Sequence, residues 1–407
     1  MKKTLLRQYA RLIARVGANV QKGQEVWLTA GLDQPEFVAM LTDECYKAGA
    51  ARVRVEFTYD PLEKLHARYQ KQSVLGRVED WERAKLQYMT EVFPVRIFLE
   101  SSDPDALSGI KQPNYSNAMQ MRRAVIKPYR DAIDNKHQWC IAAVPGEAWA
   151  KKIYPALSKR QAVEKLWEDI LAASRAYGDS EANWAAHNAD LKARCDYLNS
   201  LGLRSLHYTA PNGTDLTLGM IPDGVFEGGS STTFSGVVYE ANIPTEEVFA
   251  APMRGEAEGI VYATKPLSFM GQLIENFSVR FEKGRAVEVH AEKNEELLKK
   301  LISMDEGAAY LGECALVPSG SPIDASGILF YNTLFDENAA CHLALGDGYC
   351  ECLRDYEKLT VAECRAKGVN ESIIHEDFMI GCDDLDIDGI TADGRTVPIF
   401  RRGTWAF

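Results

Sequence analysis

No run of roughly eighteen apolar residues, the length that spans a bilayer, occurs anywhere in this chain of 407 residues. A membrane-crossing helix is therefore not expected. Positive charge is in deficit, with 46 Lys and Arg against 58 Asp and Glu and a formal net charge of −12. That balance argues against nucleic acid or an anionic membrane surface as the main partner. Phosphate-cradling loops are missing too. The turn after the first predicted strand has one glycine, Gly31, where a dinucleotide site carries Gly-x-Gly-x-x-Gly, and no Gly-x-x-x-x-Gly-Lys-Ser/Thr exists. No Gly-x-Ser-x-Gly elbow occurs, so a serine hydrolase of the common α/β type has no support. Cysteines number nine, odd and without a repeating spacing, which reads as reduced thiols in a cytoplasmic chain. At the N-terminus Arg7, Arg11 and Arg15 interrupt any signal-like apolar stretch. Leu5, Leu6, Tyr9, Leu12, Ile13 and Val16 fall instead on one face of a surface helix.

What the chain does contain divides it in two. The length suggests two domains, 1–200 and 201–407. In the first, Glu25 to Ala30 reads as a buried strand. Asp33 is placed to cap a helix with Pro35 in its first turn, and Ala51 to Phe57 completes a βαβ unit. Val95 to Glu100 and Trp139 to Val144 add two more strands, predicting an N-terminal α/β domain with a mostly parallel sheet. From about Ser205 short alternating segments recur, and Lys283-Gly284 and Asp393-Gly394 mark hairpin turns. The second half is thus expected to be a β-rich α+β catalytic domain, with helices at Asn294 to Ile302 and around Ala339 to Leu345.

The chemistry concentrates in that half. Residues 332–349 read NTLFDENAACHLALGDGY, packing Asp336, Glu337, His342, Asp347 and Tyr349 among small and apolar residues. Buried carboxylates need partners, and carboxylates with neutral imidazole are a common ligand mixture for zinc and similar ions. The chain has only seven histidines. His66, His137 and His187 sit among polar residues and read as surface, and His207 and His290 lie in strand patterns without an acid constellation. His375 differs, because in Ile373 to Gly381 it lies two residues from Asp377, and on a strand those two share a face. Glu313 is a lone acid in an apolar strand-like run. Glu247 follows Thr245-Glu246, a trio that equally reads as a helix start. Glu337 is five residues from His342 and joins it at one centre only if it precedes the helix expected there.

With these residues in view, the second half resembles the thermophilic aminopeptidase family, the metallopeptidases that include aminopeptidases T and S. The resemblance rests on Gly213-Thr214-Asp215-Leu216, NIPTEEVFAAP from Asn242, ATKPLSFMG from Ala263, ALVPSGSPI from Ala315, NTLFDENAACHLALG from Asn332 and HEDFMIG from His375. It implies removal of N-terminal residues from peptides by two divalent metal ions, zinc, cobalt or magnesium, in a homodimer. The ligands it implies are Glu247, Glu313, His342, His375 and Asp377, with Glu337 a further acidic position and Tyr349 the active-site tyrosine that follows a metal-binding helix. Glu313 or Glu337 then serves as general base and Tyr349 as donor to the tetrahedral oxygen. The competing class is a non-catalytic two-domain binding protein with a closed, structural metal site. A phosphoester hydrolase would need cationic clamps, and Arg and Lys are sparse beside these acids.

Overall fold

The computed structural model describes residues 1–270 and 272–407, leaving aside Gly271, the last residue of ATKPLSFMG, and the side chain of Gln112. Chain contacts separate two compact units, Met1–His187 with Ser230–Thr245, and Asn188–Gly229 with Glu246–Phe407. The segment Ser230–Thr245 belongs with the first unit although it lies far along the chain.

The first unit is built on a parallel sheet. Strands β1 (Glu25–Gly31), β2 (Arg52–Thr58), β3 (Val95–Glu100) and β4 (Trp139–Ala143) run in the order β2-β1-β3-β4, and Asn242–Ile243 pairs parallel beyond β4. On one face Val26, Leu28, Ala30, Val95, Ile97 and Leu99 are buried. Helix α1 (Pro35–Ala48) joins β1 to β2 and stops at Gly49, whose φ of +119° suits a residue without Cβ. Gln34, not Asp33, stands at the cap of α1. Asp33 is drawn elsewhere, accepting from the Ser101 hydroxyl and the Glu147 N–H. His137 is buried, its Nδ1 3.0 Å from the Ile133 carbonyl, so its polar sequence neighbours mislead about its exposure.

The second unit stacks two antiparallel sheets. Among the described residues the larger has nine strands and includes Leu203–Thr209, Asp215–Met220, Pro252–Tyr262, Gln272–Glu282 and the hairpin Asp386–Thr391 with Thr396–Arg401. The smaller contains β5 (Val248–Ala250), β6 (Leu311–Leu316), β7 (His342–Gly346) and β8 (His375–Met379) in the order β8-β7-β6-β5, with Glu227–Gly228 beyond β5. Two sequence expectations change here. The segment around Ala339 to Leu345 is no helix: Glu337–Ala339 form a single 3₁₀ turn and His342 opens β7. Thr245-Glu246-Glu247 leads into β5 and starts no helix.

One face of the small sheet is core. Val248, Ala250, Cys314, Leu316, Leu343, Leu345 and Phe378 join Leu206, Leu216, Val261, Phe277 and Ile387 of the large sheet in one buried cluster, with Phe277 and Phe378 ring centroids 5.7 Å apart. The alternation of a strand then sends the intervening residues to the other face.

Candidate metal centre

Cross-strand register assembles that other face. Phe249 lies opposite Ala315, Ala315 opposite His342, and His342 opposite Met379, while Glu313, Ala344 and Asp377 form the neighbouring row. Glu247 sits two residues before Phe249, and His375 two before Asp377. Five polar side chains from four strands or their ends thus project one way from a scaffold whose reverse side is packed hydrocarbon.

Glu313 reaches this face through a bulge. Leu311 pairs with Leu345 and Glu313 with Ala344, so two steps on β6 answer one on β7. In a regular strand residues two apart share a face, which would put Glu313 beside Leu311 in the core. The extra residue, Gly312, reverses the phase. A Cβ at Gly312 would lie 2.1 Å from the Asp347 carbonyl oxygen, so the close approach needs glycine. A glycine inside a strand pattern is a legible bulge signal.

The converging atoms form two overlapping groups. Ligand atoms of Glu247, Glu313 and His342 lie within 4.8 Å of one another, as do those of Glu313, His375 and Asp377. Glu313 belongs to both. His342 Nε2 is 3.1 Å from Glu247 Oε2, and His375 Nε2 is 3.0 Å from Glu313 and 3.4 Å from Asp377. Each imidazole is oriented from behind: His342 Nδ1 is 3.1 Å from the Ala340 carbonyl and His375 Nδ1 2.7 Å from that of Asp347. A carbonyl only accepts, so each Nδ1 carries a proton and each Nε2 faces the acids, the orientation found in metal-bound histidines. Asp377 Oδ1 is buried and makes no hydrogen bond.

Glu337 stands on the 3₁₀ turn beside this face, and its neighbour Asn338 fixes the surroundings. Fully buried, Asn338 donates to the Leu334 carbonyl at 3.0 Å and to Glu337 at 3.4 Å, and accepts the Glu246 N–H at 2.7 Å. It therefore ties the turn bearing Glu337 to the segment bearing Glu247. No sequence signal singled it out. Asn338→Leu removes those contacts and is expected to cost about 1–3 kcal/mol, read as a lower urea midpoint at unchanged slope.

The electrostatics describe an excess of negative charge. Burial raises the Glu313 carboxyl, with Glu247 adding to the effect and His375 opposing it. Glu337 is pushed well above the usual carboxylate range, first by burial and then by Asp377 and Glu247. Burial acts to lower His342, but Glu247, Asp377 and Glu313 prevail and raise it to about 10. His375 is likewise raised, by Asp377 and Glu313 against its burial. Burial also acts to raise Asp377, but His375 and His342 prevail and hold it below the usual range. A proton on each imidazole does here what a cation would do, and a cation must displace it.

The centre is not sealed. The His375 side chain is 21 % exposed and the Tyr349 ring 40 %, whereas Glu247, Glu313 and His342 are buried. The Tyr349 hydroxyl lies 3.2 Å from His375 Nε2. Desolvation and then the charges of Glu313, Asp377 and Glu337 raise this phenol far above its ordinary value, so it remains a donor.

Comparison with known proteins adds to this geometry. The family model for thermophilic metalloprotease (M29) matches residues 2–405. Aminopeptidase AmpS of Bacillus subtilis is 41 % identical over 404 residues, covering 99 % of this chain and 98 % of that protein. Aminopeptidase T of Thermus aquaticus is 39 % identical over 402 residues, covering 98 % of each. Among solved structures, wild-type AmpT from Thermus thermophilus superposes with a TM-score of 0.91 at 38 % identity, covering all of both chains.

Proposed function

The chain belongs to the thermophilic metalloprotease (M29) family and is a metallopeptidase, and from that premise we propose a two-metal aminopeptidase that releases the N-terminal residue of peptides. The observation that carries the reading is Glu313, the carboxylate common to both ligand groups. Glu247 and His342 would hold one cation, His375 and Asp377 the other, and Glu313 would bridge them. Charge supports a pair. Glu247, Glu313, Glu337 and Asp377 bring four carboxylates, and the ion pairs they make among the described residues are with His342 and His375 alone. Two divalent cations would balance them, whereas one would leave two buried negative charges uncompensated. The Asp377 Oδ1 oxygen, ion-paired with His375 but without a hydrogen bond, fits the same donor set.

Bound divalent cations supply Lewis acidity, which acidifies water, polarises a scissile carbonyl and gives a free α-amine a ligand position. The protein's own groups do the rest. Glu337, a carboxylate once cations offset the acids that otherwise hold its proton on, would take the proton from the attacking water and return it to the leaving amine. Tyr349 donates to the oxygen of the tetrahedral species. Exposure at His375 and Tyr349 leaves room for substrate, which a closed structural site would lack. Zinc, cobalt or magnesium, peptides with a free N-terminus and a homodimeric assembly complete the reading. Hydrolysis of amino-acid 4-nitroanilides is expected to disappear after exhaustive chelation and return on adding zinc or cobalt. Turnover undiminished by chelation would reject the reading.

A further inference from the structure

The first unit contains a cavity of about 240 Å³ that owes nothing to the metal centre. It lies against the second face of the parallel sheet. Sheets of this kind are usually covered on both faces and apolar on both, but here the second face carries Trp27 and Thr29 of β1, Arg54 and Glu56 of β2, and Arg96 and Phe98 of β3. Helix Asp80–Val92 covers it with Val78 (just before it), Trp81, Lys85 and Met89, spaced at three to four residues. Helix Gln112–Ile133 does so with Ile126, Tyr129, Arg130 and Ile133. Trp27, Met89 and Ile133 pack together, and the cavity borders all three.

The charges in this cavity are unevenly matched. Lys85 is paired with Glu56 at 2.5 Å and Glu82 with Arg122. Arg96 and Arg130 also line the space, yet neither guanidinium makes an ion pair or hydrogen bond among the described residues. The Arg96 guanidinium carbon sits over Phe98, 4.5 Å from the ring centroid, a contact that uses none of its N–H donors. Burial, then the charge of Arg130, lowers Arg96 to about 10. Arg96 is half-buried and opposed only by the charge of Glu56, which already pairs with Lys85. With Arg130 at the exposed rim, it presents unused guanidinium donors to the recess, a setting that suits an anion. Phosphate would gain nothing from the Trp and Tyr walls. A carboxylate on a flat apolar body uses both features, with bidentate geometry at the guanidinium and ring contact at the walls.

We propose that this cavity is a binding site for a small aromatic or branched monocarboxylate, held by Arg96 and Arg130 and enclosed by Trp27, Trp81 and Tyr129. The site shares no residue with the metal centre and does not depend on the reading of it. Calorimetric titration of the metal-loaded full chain with 3-phenylpropionate and with its neutral analogue 3-phenylpropanamide tests it. The carboxylate is expected to bind one per chain, with the amide about 10- to 100-fold weaker, the range of one charge-assisted contact. Arg96→Gln should remove that preference while nitroanilide hydrolysis stays as in the parent. Should Arg96→Gln fail to fold, Arg130→Gln and Trp81→Ala, both at exposed positions, must each weaken binding. Equal affinity for acid and amide would overturn the proposal. So would carboxylate binding indifferent to these substitutions, which would locate it at the metals, or an absence of binding at millimolar concentration.

Discussion

Glu313→Gln is expected to abolish hydrolysis and strip the centre of metal together. The substitution keeps the side chain's shape and removes its charge, so any loss reports electrostatics and ligation. Glu313 is the shared member of both ligand groups and is buried on β6. Its neutralisation should empty both cation positions, and kcat/KM should fall by about 10⁴-fold or more, each factor of ten being about 1.4 kcal/mol of barrier. Metal content by mass spectrometry, against parent enzyme dialysed alongside, provides the check. A variant that retained two ions per chain, or lost one and kept its activity, would remove Glu313 from the bridging role.

Glu337→Gln should behave differently. Glu337 lies outside both ligand groups but beside Asp377, Glu247 and Glu313, which with its burial drive its carboxyl toward the protonated form. A group poised in this way suits proton transfer. The glutamine variant is expected to lose about 10²–10⁴-fold in kcat, the usual share of general acid–base catalysis, with KM and metal content near the parent values. Steady-state kinetics and metal analysis on one preparation separate the outcomes. Metal lost along with activity would make Glu337 a ligand and return the proton-transfer role to another group.

The sequence revealed local geometry wherever one physical signal dominated. His375 and Asp377 two apart in a strand-like run do lie on β8, because alternation is the whole of that argument. The βαβ unit at Glu25–Thr58 was legible from turn residues and apolar runs, as was the hairpin at Asp393-Gly394. Ala339 to Leu345 read as helix for an equally physical reason. Its Ala and Leu residues favour helix, and a strand buried on both faces shows no alternation to contradict them. Hydrogen bonding to β6 on one side and β8 on the other makes it a strand, and those partners are about 30 residues away in either direction. The same non-locality hid Asn338. Its value lies in the Glu246 N–H, 92 positions earlier in the chain, and nothing beside it in sequence announces that contact.

The one-residue irregularity at Gly312 has a consequence for how this protein tolerates change in length. Deleting that glycine would leave Leu311 and Glu313 consecutive, and plain alternation would still send the first to the core and the second to the metals. One residue added just after Glu313 is the change it could not absorb: Ala315 would be driven into the oily layer between the sheets, and Cys314 and Leu316 would be offered to incoming peptide in its place.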